Sequence, residues 1–171
     1  MKRVGILRHA KSDRGDGASD DHNRPLNERG WKAARRIGGE LKQRGISFDL
    51  VLASTAARIR ETIDGVQEED DFEAPIQFEP RIYLASEETL LDLVVGLSED
   101  VHSALLVGHN PGLQRLVLHL ARDDHQGLRR RIEDKYPTGA LAIVELPART
   151  WAEVQPRTGK IVELMLPKEL D

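Results

Sequence analysis

Val4-Gly5-Ile6-Leu7-Arg8-His9 decides the fold of this chain, together with its counterpart Ala104-Leu105-Leu106-Val107-Gly108-His109. Each is a short apolar run that ends by delivering a histidine. Runs of this length, with β-branched residues and glycine alongside, read as fully buried strands. Ligands in open α/β sheets bind at the carboxyl ends of the strands. Two neighbouring parallel strands of this kind therefore place both imidazoles in one crevice.

Working outward, residues 11–23 are polar and rich in Gly and Asp, which predicts a loop long enough to fold over a site. Asn27 then precedes Trp31, Ala34, Ile37 and Leu41, a single helical stripe that predicts a helix over 28–44, capped by Asn27 and stopped by Gly45. A strand is predicted over 48–53, followed by a helix through Arg58, Thr62 and Val66, with Glu68-Glu69-Asp70-Asp71 as a solvated turn. Residues 75–78 read as a short strand, placed at an edge by Pro75. Ser86 caps a helix carrying Leu90, Leu91, Val94 and Val95, and Glu87 and Glu88 suit the dipole at its start.

After the second histidine strand, Asn110 is the predicted N-cap and Pro111 the first residue of a helix that turns Leu113, Leu116, Val117 and Leu120 inward. The charged stretch 122–135 reads as surface helix and loop, and 140–146 and 160–166 as two last strands. This alternation predicts one α/β domain over 1–171, with a central, mostly parallel sheet and helices on both faces.

Composition narrows the function. The chain has 171 residues, 39% of them hydrophobic, enough for one sizeable core. A net charge of −4 gives no overall attraction to nucleic acid or to an anionic membrane, so local basic groups must bind any anion. With no cysteine there is no disulfide, thiolate metal site or thiol nucleophile. No apolar run has the length of a signal segment or a membrane span. A cytoplasmic monomer without a nucleic-acid or membrane partner is the expectation.

A lone Arg-His pair after a strand has a bland reading, a hydrogen-bonded core histidine. Its company argues otherwise. Arg24 closes the first loop in Arg24-Pro25-Leu26, Arg58 follows a strand in Ser54-Thr55-Ala56-Ala57-Arg58, and His109 ends another strand. His102, His119 and His125 lack such context.

These pieces, in order Leu7-Arg8-His9-Ala10-Lys11-Ser12, Arg24-Pro25-Leu26 with Gly30, Ser54 to Arg58 with Glu61 and Thr62, Gly108-His109-Asn110-Pro111-Gly112 and the later Pro137-Thr138-Gly139-Ala140-Leu141-Ala142, resemble the histidine phosphatase superfamily. Within it they resemble the small bacterial SixA-type phosphohistidine phosphatases. The resemblance implies a three-layer α/β/α sandwich of phosphoglycerate mutase-like architecture. It also implies a metal-independent, cofactor-free phosphoryl transfer. In that reaction His9 attacks phosphorus and is transiently phosphorylated, Arg8, Arg24 and Arg58 clamp the non-bridging oxygens, and His109 completes the pocket. The residue types suit this chemistry, because fixed guanidinium and imidazole donors stabilise the charge on the equatorial oxygens. The implied substrate is phosphohistidine on a protein such as a signalling phosphotransfer domain.

The chain departs from the family at Ala10, where many members have glycine, and in lacking an acid that matches the family's proton donor. Glu87 and Glu88 lie in the right region, but their helix position already accounts for them. A missing acid fits an imidazole leaving group, which departs readily when protonated. The alternatives are a phosphatase of a small phosphomonoester, a non-catalytic phosphate-recognition module with the same pocket, and a metal hydrolase using His9, His22 and His109. No histidine pair has the helical spacing that the last would favour.

Overall fold

Six apolar runs pair into one sheet in the order β3-β2-β4-β1-β5-β6 in a computed structural model that describes residues 1–13 and 20–170. The strands are β1 (Lys2–Arg8), β2 (Leu50–Ala53), β3 (Ile76–Phe78), β4 (Ser103–Gly108), β5 (Leu141–Leu146) and β6 (Lys160–Met165). β3, β2, β4 and β1 run parallel, whereas β5 lies antiparallel to β1 and β6 antiparallel to β5. The sheet is thus mostly parallel, with β3 at the edge as its proline predicts.

Alternation along the buried strands feeds two cores. Val4 and Ile6 of β1, Leu106 of β4 and Val144 of β5 face one side, against α3 (Glu87–Val95), α4 (Gly112–Leu120) and α5 (Leu128–Asp134). Leu7, Leu105, Val107 and Ile143 face the other, against α1 (Glu28–Arg44) and α2 (Ala57–Asp70). Two helical layers enclosing one sheet give the α/β/α sandwich of phosphoglycerate mutase-like proteins. None of the described helices is long and apolar enough to cross a membrane.

Caps set the helix ends. The Asn27 side chain accepts a hydrogen bond from the Gly30 N–H, and Gly45 ends α1 in the left-handed region at φ 65°. Ser86 caps α3 through the Thr89 N–H.

Four expectations need correction. Glu68, Glu69 and Asp70 belong to the last turn of α2 rather than to a loop, since nothing after Val66 breaks the helix before Asp71 turns left-handed at φ 52°. α4 begins one residue late: Pro111 precedes it, and Asn110 reaches deeper to accept from the Gln114 N–H at 3.2 Å. The loop over 11–23 contains a 3-10 turn at Asp21–Asn23, initiated by the Asp20 side chain, while its residues 14–19 lie outside the described residues. Finally, the stretch 122–135 is not all surface. In α5, Ile132 is buried, and so is Arg129, which donates to the Ala121 and Leu118 carbonyls.

Candidate active site

β1 and β4 are adjacent and parallel with Arg8 in register with Gly108, so His9 and His109 leave the sheet side by side. Their ring centroids are 5.5 Å apart. His9 Nδ1 lies 2.7 Å from the Ala10 carbonyl oxygen. A carbonyl can only accept, so the proton sits on Nδ1 and the lone pair on Nε2.

The backbone that holds this tautomer is itself held. The Ala10 N–H donates to Thr62 Oγ1 (3.0 Å), the Thr62 hydroxyl donates to the Arg58 carbonyl (2.7 Å), and the Gly139 N–H donates to the His9 carbonyl (2.9 Å). One residue on, the Lys11 carbonyl accepts from the Asn27 N–H and lies where a Cβ on Gly30 would come within 2.1 Å, so only glycine lets α1 approach this closely.

Arg58, in the first turn of α2, has a side chain only 3% exposed. Its Nη1 donates to the Asp21 carbonyl (2.8 Å), and its Nη2 donates to Asp21 Oδ2 (3.2 Å) and to His109 Nδ1 (3.4 Å). A guanidinium only donates, so His109 carries its proton on Nε2, which donates to Ser54 Oγ at 2.8 Å. Arg8 Nη1 donates to the Tyr136 carbonyl (3.0 Å). The Nε–H groups of both Arg8 and Arg58 are buried and have no partner among the described residues. Leaving one buried donor unmet costs about 1–3 kcal/mol, more for a charged group, and the charges of both guanidiniums act on His9.

Arg24 sits at the rim. Its Nη1 donates to Ser12 Oγ (2.8 Å) and the Asp13 carbonyl (2.9 Å), and its Nη2 donates to Asp21 Oδ1 (3.1 Å). Its charge reaches His9, but its fork is tied to the loop.

Comparison with known proteins places the chain. Residues 4–83 match the model of the histidine phosphatase superfamily (branch 1). An uncharacterised protein of Mycobacterium tuberculosis is 34% identical over 164 residues, covering 95% of this chain and all of the relative. The chain belongs to the histidine phosphatase superfamily. Within that superfamily it is of the SixA type. SixA of Agrobacterium tumefaciens, described as a candidate phosphohistidine phosphatase, superposes with a TM-score of 0.80 at 29% identity, covering 97% of this chain and 98% of its own. The protein histidine phosphatase SixA complexed with tungstate shares the fold, with a TM-score of 0.80 at 23% identity over 99% of both chains.

Several residues of this histidine phosphatase pocket escape a reading of the sequence. The Asp21 carboxylate bridges Arg24 and Arg58 and accepts a short hydrogen bond from the Tyr83 hydroxyl. The Tyr83 ring stands edge-on between His109 (5.4 Å) and His22 (5.0 Å), and His22 Nε2 lies 2.8 Å from Thr55 Oγ1. Tyr136 presents its carbonyl to Arg8 and to Asn110 Nδ2. The one signal for Asp21 is its i,i+3 spacing to Arg24 across a turn. Glu87 and Glu88, by contrast, make no hydrogen bond or ion pair with the pocket among the described residues.

Electrostatics hold both histidines neutral. Burial, then the charges of Arg58, Arg8 and Arg24, press His9 down to about 4 against the opposing pull of the Ala10 carbonyl. Burial, Arg58 and then His9 press His109 down to about 3. An NMR titration is expected to give a His9 midpoint near 4, and added phosphate is expected to raise it, because a dianion favours the imidazolium. A midpoint near the ordinary 6.5, unmoved by phosphate, would contradict this electrostatic picture. The linkage follows the same sign. The unfolded chain binds protons at these histidines that the folded chain refuses, so stability is lost as pH falls from about 6.5 through about 4 for His9 and about 3 for His109.

Proposed function

We propose that this phosphatase hydrolyses phosphohistidine on a protein, through a phosphorylated His9. The observation that carries the reading is the pairing of His9 with His109, ring centroids 5.5 Å apart, with Arg58 bonded to His109 and the His9 lone pair left on Nε2. His9 Nε2 attacks phosphorus, the P–N bond to the substrate's imidazole breaks, and that imidazole leaves with its own proton. Water then attacks the phosphorus on His9, giving inorganic phosphate and restoring the free ring. Arg8 and Arg58 offer fixed donors to the equatorial oxygens throughout, so no reorganisation is needed as charge shifts. Arg24 adds charge from the rim. His109 is held by Arg58 and Ser54 until a dianion makes its protonated form favourable.

The state of Asp21 supports this substrate over an alkyl ester. An alkoxide leaving group needs a general acid, which must carry a proton at working pH. The hydrogen bond from Tyr83, followed by the charge of Arg58, holds Asp21 down at about 2, so it is ionised and cannot serve. Purified protein is expected to release phosphate from a histidine-phosphorylated phosphotransfer domain, and to act at least about a hundredfold more slowly on alkyl phosphomonoesters, the lower end of what one general acid contributes. Equal or greater kcat/KM on the esters, lost on substituting Glu87 or Glu88, would replace this reading with that of a small-ester phosphatase.

A further inference from the structure

Beside the pocket runs a groove of about 910 Å³ that shares Arg8 with it. Eight of its lining residues are Lys or Arg and two are acidic, in a chain whose net charge is −4. One bank is α1, where Arg29, Lys32 and Arg36 fall at i, i+3 and i+7 on a single stripe about 10 Å long. Lys11, Lys135 and Lys168 also line the groove. All six side chains are exposed, and none lies within ion-pair distance of a carboxylate among the described residues. Only Arg131 of the basic set is paired, with Glu169. Apolar residues share the lining, including Leu164, Leu166 and Pro167.

We propose that this groove docks an acidic, partly apolar segment of the phosphoprotein whose phosphoryl group enters the His9 pocket. The inference rests on the phosphohistidine-protein reading and adds what the protein must look like around its histidine. A phosphate alone is far too small to fill the groove. A compact polyanion is best held by cations that converge and are buried against it. Here they are spread along a helix stripe and across the groove, each exposed to solvent, which suits acidic side chains spaced along another polypeptide. Exposed charges of one sign steer an oppositely charged partner and raise its encounter rate, an effect that salt weakens. The apolar residues of the lining give such a segment something to bury once it arrives.

Two synthetic peptides test this, each with one phosphohistidine, flanked either by four glutamates or by four lysines, alongside phosphoimidazole as a substrate too small to reach α1. At low ionic strength the wild-type protein is expected to favour the acidic peptide about tenfold or more in kcat/KM, within the range of electrostatic steering, and added salt should narrow the gap. In the combined variant Arg29→Glu, Lys32→Glu, Arg36→Glu the preference should vanish or reverse while phosphoimidazole turnover persists. The matching glutamine variant, which removes charge without reversing it, should give the intermediate result and serves if the first fails to fold.

Equal wild-type rates on both peptides, or a preference that survives in the variants, would overturn the docking role alone. Turnover of phosphoimidazole but of neither peptide would overturn the protein-substrate reading and the docking role with it. Inhibition by tripolyphosphate that the variants lose, without any peptide preference, would assign the groove to a small polyanion and overturn the proposal.

Discussion

Replacing His9 with alanine is expected to reduce phosphate release from a phosphohistidine protein by roughly 10⁴ to 10⁶-fold, the scale on which enzymes respond to loss of a nucleophile. The residue is an acceptor-bearing ring held by one backbone bond, and alanine leaves the Ala10 carbonyl without that donor while touching neither hydrophobic core cluster. The fold should therefore survive, which separates chemical from structural loss. In a rapid quench with labelled substrate, wild-type protein should show a burst of acid-labile, alkali-stable label, and His9→Ala should show none. Undiminished turnover in the variant, or label retained elsewhere on the chain, would remove His9 as the nucleophile.

Arg58 carries the second large effect. Its substitution by alanine should lower kcat by roughly 10² to 10³-fold, as for loss of one preorganised donor to developing charge. Lysine should recover folding but little rate, because an ammonium cannot reproduce a fork that serves Asp21, His109 and an incoming oxygen together. Steady-state kinetics of the two variants, with inorganic phosphate as a competitive probe, decide the matter. Full activity in Arg58→Lys would mean that charge alone suffices and that the fork geometry is irrelevant.

Much of the architecture was legible because burial leaves a strong mark on sequence. The two histidine runs are apolar without interruption, as strands covered on both faces must be, and Asn27, Gly45 and Ser86 announce helix ends through chemistry local to each position. The acidic run 68–71 was misread because charge density signals exposure, and the solvent face of a helix is as exposed as a turn.

The site was legible only as far as its residues lie at strand ends. Asp21 and Tyr83 are far from each other in sequence and meet only because the first loop crosses the end of β3's connection to α3. Beyond the i,i+3 spacing of Asp21 to Arg24, nothing local marks either of them. The chain has just two tyrosines, and both touch this pocket, one through its ring and one through its backbone. Scarcity of a residue type was the available clue.

The antiparallel β5 has a bearing on how the protein comes into being. The Gly139 N–H that holds the Arg8 and His9 carbonyls, and the Tyr136 carbonyl that receives Arg8, arrive with the last quarter of the chain. Tyr136 is fastened in turn by its hydroxyl to the Ile6 carbonyl and by the Ala142 N–H. A nascent polypeptide emerging from the ribosome thus exposes His9 and all three arginines long before these braces exist, and the proposed pocket is completed only once Tyr136 and Gly139 have been made.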